Sequence, residues 1–294
     1  MTARPEVSHP ATEKRNARPL AKKLLLWLPV NALFLVLLIL ALYPFVWLGL
    51  TSLRTNAELY ANTWGLPSSL NFDNFVKVWE TSPIPTYFLN SLIVSASSTF
   101  LILMVSSMAA YAFSKLRFRG SNAMFYALLA FYFIPPHIAL VPLFFVLKAL
   151  HLGNTYLVLI GPYVAFAVPF STLLIRGFML SVPGELINAA RIDGCSKIGI
   201  YYRIMLPLSK PVLAVVTVFQ FLCCWNEYLF ALVFIHKRAM KTLPVGLMDF
   251  EGEFHTDWTA RAAGLVIATI PIAIVYLVFQ RQIMQGMTAG ALKG

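Results

Sequence analysis

The chain has 294 residues, 59% of them hydrophobic and only 12% charged, where an ordinary soluble domain carries roughly 45–50% and about 25%. So little polar surface cannot clothe a water-soluble globule of this length, and the composition points to lipid as the solvent. The 23 Lys+Arg against 12 Asp+Glu leave a net charge of +11, whose meaning depends on where those charges fall.

A helix crossing the hydrocarbon core needs about 20 apolar residues. Residues 1–23 form a basic tail, rich in Pro and Ala and without periodicity up to about residue 20, which reads as disordered. The first apolar run, at about 24–50, is longer than the roughly 7–15 residues of a signal-peptide core and lacks a small-residue cleavage site, so it is expected to be retained as an anchor. A second span, about 88–114, carries Asn90, Ser91, Ser95, Ser97, Ser98, Thr99, Ser106 and Ser107, small polar side chains that let helices approach and bond to one another. The third, about 122–147, is interrupted by Pro135 and Pro136 and holds His137; the fourth, about 156–178, holds Pro162 and Pro169. Each proline removes a backbone donor and invites a kink, either as ordinary curvature or as a broken helix beside a pathway.

Between the fourth and fifth spans, residues 181–207 have a helical pattern. Ser181 and Pro183 offer a start, Leu186, Ala189, Ala190 and Asp193 share a face, and Gly194 can close the helix in a left-handed conformation. Ile198, Tyr201, Tyr202 and Met205 repeat the spacing, and Pro207 ends it. The result is a helix-turn-helix whose apolar face needs a partner, either its own membrane domain or another protein's groove. The fifth span, about 211–234, contains Gln220, Asn226 and a single acid, Glu227. Sixteen residues past Pro211, Glu227 sits about 24 Å into a core about 30 Å thick, near its outer edge, where an ionisable group suggests a functional cavity or a side chain reaching outer water. The sixth span, about 262–280, contains Pro271, and residues 282–294 form a second tail. Cys195, Cys223 and Cys224 match neither a disulfide framework nor a zinc pattern, and no metal site is expected.

Placing the amino terminus inside puts 16 of the 23 basic residues on the inner side, with a net charge of +12 there and 0 outside. The basic excess is thus a topology signal, with both termini cytoplasmic, and not a nucleic-acid footprint. The expected fold is an all-α membrane protein with six transmembrane helices and a cytoplasmic helix-turn-helix between helices 4 and 5.

The run Glu185-Leu-Ile-Asn-Ala-Ala-Arg-Ile-Asp-Gly194, followed by Ile204-Met-Leu-Pro207, resembles the EAA signature of membrane subunits from bacterial ABC importers. Asn90-Ser91, Ala110-Tyr-Ala-Phe-Ser-Lys115 with Phe118-Arg-Gly120, Pro142-Leu143, Trp225-Asn226, Thr242-Leu-Pro-Val-Gly246 and Thr288-Ala-Gly-Ala-Leu-Lys-Gly294 extend the likeness along most of the chain. Together they resemble the carbohydrate-uptake branch, and within it the six-span, maltose-permease-like second subunit. The resemblance implies that the loop is a coupling helix seated in a cleft of an ATPase subunit, with Glu185, Asn188, Ala189, Ala190, Asp193, Gly194, Leu206 and Pro207 as its coupling residues. It departs from the family at Asn188, where a glutamate usually precedes the two alanines, leaving Glu185 and Asp193 as the loop's only acids.

The resemblance further implies a bacterial inner-membrane permease forming half of a pathway for a sugar or sugar derivative. Its partners would be a second homologous permease, two ATPase subunits and an extracytoplasmic solute-binding protein, to whose docking the acidic outer loop Asp249 to Asp257 can contribute. No G-x-x-x-x-G-K-[ST] occurs in the chain, so no cofactor is expected on it; ATP and Mg would belong to the ATPase subunits. Asn90, Ser91, Gln220, Asn226 and Glu227 are the substrate-pathway candidates. Two other classes fit such a composition: an ion-coupled secondary transporter, which should show several intramembrane acids or inverted repeats, and a membrane-embedded transferase, which should show clustered carboxylates or a His-acid pair. The chain has one intramembrane acid, no obvious repeat and no sequence partner for His137.

Overall fold

A computed structural model of the chain describes residues 20–116, 118–250 and 257–291. Most of the basic amino-terminal tail, residues 251–256 of the acidic loop and the last three residues lie outside them. The chain divides into two units, residues 1–48 and 49–294. Helix α1 (Leu20–Ser52) fills the described part of the first unit and runs a few residues into the second. From Trp27 to Val46 its apolar side chains are exposed, Trp27 at 62% and Leu40 at 64% among them, and Trp27–Ser52 contains no charge. Such a surface is stable against hydrocarbon and costly in water.

The second unit begins with short helices α2 (Asn56–Ala61) and α3 (Asp73–Val76). Thr55 and Glu58 form a capping box on α2, and the buried Arg54 donates to the carbonyls of Glu58, Asn62 and Thr63 beyond it. Helix α4 (Ile84–Lys115) then packs along α7 (Leu157–Leu180). Its buried stripe contains Asn90, Ser91, Ser95, Ser98, Thr99, Ser106 and Ser107, small enough for close approach, with Ser106 Oγ donating to the Val168 carbonyl at 3.4 Å.

The apolar run between them is not one helix. It forms α5 (Ser121–Tyr132) and α6 (Leu140–Ala149), separated by a turn around Pro135–Pro136. At 1.5 Å per residue neither half alone spans a core about 30 Å thick.

The segment after α7 contains α8 (Gly184–Ile192), α9 (Lys197–Ile200), one wide turn and α10 (Leu206–Leu208). Ser181 does not start α8: its hydroxyl donates to the Phe178 carbonyl at 2.8 Å and finishes α7, leaving Pro183 at the cap position of α8. Gly194 turns the chain at φ +77°, where a β-carbon is strained, and Ser196 caps α9 by accepting from Gly199 N–H at 3.0 Å.

Helix α11 (Lys210–Trp225) leaves this segment at a bend of 75°. The expected span 211–234 is likewise broken: α11 stops at Trp225 and α12 (Leu229–Phe234) starts after residues 226–228. Short α13 (Leu243–Gly246) packs on α4, and α14 (Trp258–Ala291) packs along α11, with Trp225 Nε1 donating to the Ala268 carbonyl at 3.2 Å. Among the described residues four helices are long and apolar enough to cross a membrane by themselves, and the bent pair Lys197–Leu208 plus Lys210–Trp225 adds a fifth crossing if it counts as one.

Candidate functional site

Two places in the second unit combine chemistry with shape. The first is a cavity of about 340 Å³ where the α5–α6 break, α7, α11 and α12 meet. Pro135–Pro136 open that break, placing Tyr132 and His137 at the rim. Helix α7 contributes Tyr163, Phe166 and Phe170 from one face, and α11 contributes Phe219, Gln220, Cys223 and Cys224. The rings are ordered: Tyr132 stacks on Phe170 at 5.4 Å and 17°, and Phe170 lies 5.4 Å from Phe219. Tyr132 and Phe219 are about half exposed, so their faces are accessible to a ligand, and the wall is mostly apolar with a few polar atoms.

Of the pathway candidates, Gln220 and Glu227 are in this wall. Gln220 Nε2 donates to Ser171 Oγ at 2.9 Å, which fixes the amide against α7. Glu227 accepts from Phe230 N–H at 2.7 Å through Oε1, and from Ala231 N–H at 3.2 Å and the Tyr163 hydroxyl at 2.5 Å through Oε2. The other three candidates lie elsewhere. Asn90 Nδ2 donates to the carbonyls of Ala239 and Lys241, both at 2.9 Å, while its Oδ1 accepts from Tyr156 O–H at 2.7 Å. Ser91 Oγ accepts from Leu243 N–H at 2.7 Å. These two side chains pin the segment after α12 onto α4. Asn226 is exposed, with Nδ2 donating to the Leu222 carbonyl at 3.0 Å, and is not in the wall.

The second place is the 184–208 segment. Its inner side is built from Ile187, Ala190, Ile200, Tyr201 and Met205, packed with Ala110, Tyr111, Ile175 and Met179. Ala190 therefore belongs to the inward face, apart from Leu186, Ala189 and Asp193, which are exposed with Glu185, Asn188 and Gly194. In the second helical stretch Tyr201 and Met205 face in, whereas Ile198 and Tyr202 are 70% and 56% exposed. Leu206 is half-buried and Pro207 exposed. Three hydrogen bonds fasten the segment and its approach to α4: Tyr201 O–H with Ser107 Oγ at 2.7 Å, Tyr111 O–H to the Lys197 carbonyl at 2.9 Å, and Lys115 Nζ to the Val182 carbonyl at 2.8 Å. Leu186, Ile192, Ile198 and Tyr202 remain as an exposed apolar surface.

Elsewhere, Asp257 pairs with Lys77 and accepts from Asn56 Nδ2 and Ala260 N–H. Burial pushes its carboxyl up, but these bonds, led by that from Lys77, outweigh it and bring the group down to about 2. Among the described residues no group of three or more His, Cys, Asp and Glu could hold a metal ion.

The aromatic wall was not among the sequence candidates. Tyr163, Phe166 and Phe170 do recur at helical spacing, but a helix face buried in a protein core gives the same pattern.

Comparison with known proteins places these features in a family. Residues 102–289 match the model for "binding-protein-dependent transport system inner membrane component". The chain is 38% identical over 262 residues to the probable ABC transporter permease protein YurM of Bacillus subtilis, covering 89% of this chain and 87% of that protein. It is 36% identical over 261 residues to the sulfoquinovosyl glycerol transport system permease protein SmoH of Agrobacterium fabrum, covering 88% and 91%. Among solved structures, a bacterial ABC transporter involved in the import of the acidic polysaccharide alginate matches with a TM-score of 0.76 and 25% identity, over 88% of this chain and 97% of that one.

Proposed function

We propose that this chain, which belongs to the family of binding-protein-dependent transport system inner membrane components, forms half of the translocation pathway of an ATP-driven importer for a sugar or sugar derivative. The substrate class comes from the relatives, among them the permease for sulfoquinovosyl glycerol and the importer of alginate. The cavity agrees with it. Tyr132, stacked on Phe170, and Phe219, tilted against it, are each about half exposed and offer π-faces to the C–H face of a pyranose, while Gln220 and His137 provide polar groups for hydroxyls.

In this reading the chain crosses the inner membrane six times, through α1, α4, the α5–α6 pair, α7, the α11–α12 pair and α14. The basic bias supports a cytoplasmic position for both termini and for the 184–208 segment. That segment is the coupling element, and the observation that carries the proposal is its two-sidedness. Ile187, Ala190, Tyr201 and Met205 are locked to the membrane helices, while Leu186, Ala189, Ile192, Ile198 and Tyr202 face outward as a site for an ATPase subunit. Through the Tyr201–Ser107, Tyr111–Lys197 and Lys115–Val182 bonds, which flank α8 on both sides, displacement of the segment pulls on α4, which packs along α7 and so moves a wall of the cavity. Glu185 and Asp193 are exposed on the same segment and supply the charges for that contact.

The chain itself is a non-catalytic subunit. Its partners are a second homologous permease, two ATPase subunits that bind ATP and Mg, and a solute-binding protein on the outer face. ATP-driven closure of the ATPase pair moves the coupling segments and opens the cavity outward to receive sugar from the binding protein. The test is purification of the chain from its native membranes in mild detergent, with its companions identified by mass spectrometry and ATPase activity measured. A second permease and an ATPase in stoichiometric amounts are expected; a chain that purifies alone overturns the proposal.

A further inference from the structure

We propose that Glu227 is the positioning residue of the cavity, a latch that closes the break between α11 and α12 and sets the aromatic wall, and not a ligand for sugar. The inference rests on the reading of the cavity as the sugar pathway for its consequence, but its geometry stands without it. An ionised carboxylate accepts about four hydrogen bonds, and an apolar setting demands that most be filled. Three of them are: Phe230 N–H on Oε1, and Ala231 N–H and the Tyr163 hydroxyl on Oε2.

These donors are not interchangeable with water or sugar. Phe230 and Ala231 lie in the first turn of α12, whose backbone N–H groups have no acceptor within the helix, and no side chain at the helix's own cap position serves them. Helix α11 ends at its cap residue Asn226, whose N–H still bonds to the Leu222 carbonyl, so Glu227 reaches forward over residues 228–229 to start the next helix. Its second oxygen simultaneously holds Tyr163, 64 residues away on α7.

The consequence falls on the rings. Phe230 lies 6.5 Å from Tyr163 at 25°, 6.1 Å from Phe166 and 6.4 Å from His137, so fixing its backbone N–H and the Tyr163 hydroxyl through one carboxylate fixes the centre of the wall. With three acceptor positions taken, Glu227 has little to offer a substrate hydroxyl, and Gln220 and His137 remain as the polar contacts.

The cysteines provide a ligand-free readout. Cys223 and Cys224 both line the cavity, but Cys223 is exposed and Cys224 is buried, one helical turn before Glu227 resumes the chain into α12; Cys195, half-buried in the 184–208 segment, is a distant control. The full-length chain in its native membranes is treated with N-ethylmaleimide, and modification at each cysteine is followed by fragmentation mass spectrometry. In the unaltered chain Cys223 is expected to react at least about tenfold faster than Cys224, because the reagent reaches the exposed sulfur and not the buried one. Glu227→Gln and Tyr163→Phe should each speed Cys224 by about fivefold or more without changing Cys195, and the double variant should be no faster than the faster single one, since both remove one unit.

Unchanged Cys224 protection in both variants, effects that multiply, or a parallel rise at Cys195 would each overturn the latch. If Glu227→Gln does not reach the membrane, Tyr163→Phe, which deletes a single oxygen, decides the matter by itself. No sugar enters this experiment, so its failure leaves the importer assignment standing, and failure of that assignment leaves the labelling result intact.

Discussion

Replacing Gly246 by alanine should loosen the amino-terminal end of α4. A β-carbon at Gly246 would stand 1.9 Å from Cδ2, 2.4 Å from Cε2 and 2.7 Å from Cγ of Tyr87. All three are atoms of one rigid ring, fully buried at 0% exposure, so no flexible side-chain tip can swing aside to absorb the overlap. Either the ring or the whole of α13 must move by more than 1 Å, and α13 is held at its start by the Leu243 N–H to Ser91 bond. Overpacking of a well-filled core costs typically 1–3 kcal/mol, and an overlap this deep belongs at the upper end, about 3 kcal/mol. In a chain of this length that corresponds to a fall of about 6 °C or more in the midpoint of thermal unfolding, at about 2 °C per kcal/mol. The assay is thermal unfolding of the purified chain in detergent, with Gly177→Ala as the control, because nothing lies within 4 Å of a β-carbon there. Tyr87→Leu combined with Gly246→Ala should recover part of the loss by vacating the ring's space. A Gly246→Ala midpoint within 1 °C or so of the parent would refute the reasoning.

Two further outcomes follow from local geometry. With its folded value near 2 against an ordinary 3.8, the Asp257 carboxylate contributes stability that is complete above about pH 4 and lost as the pH falls through about 2. Asp257→Asn should flatten the decline in unfolding midpoint across that window, and an unaltered decline would remove the Lys77 pairing as its cause. Gly194→Pro forces φ toward about −65° where the chain turns at +77°. It is expected to abolish ATP-coupled uptake while leaving membrane insertion intact by protease mapping; normal uptake would count against the role given to the 184–208 segment.

How much of this was legible beforehand differs by element. The four long apolar helices were readable because charge-free length is a one-dimensional property, and the α5–α6 break was readable because Pro135–Pro136 lack backbone donors. Nothing comparable marks the break at residues 226–228. No proline or glycine occurs there, and its cause is a carboxylate that finds its partners in the next helical turn and on α7. Asn90 and Ser91 were singled out as polar groups in an apolar span, which sequence can show. That their partners are Ala239, Lys241 and Leu243, about 150 residues along the chain, is a property of the fold. In the 184–208 segment, helical spacing located the amphipathic pattern but put Ala190 with Leu186 and Ala189, because this short helix carries apolar residues on both its buried and its exposed side and periodicity does not say which is which. The cavity escaped for the same reason: aromatic periodicity on α7 reads alike whether the rings meet protein or ligand.

The three bonds between the 184–208 segment, its approach and α4 bear on how such permeases can diverge. Ser107, Tyr111 and Lys115 lie one helical turn apart near the end of α4, and their partners are 67–94 residues downstream. A chimaera that imports only the loop from a relative would set new residues against an old helix end and hold them slackly. Grafting the loop together with the last three turns of α4 keeps donor and acceptor matched. The heritable part in this chain is thus a discontinuous module, and exchange between related permeases should follow its borders and not those of the loop.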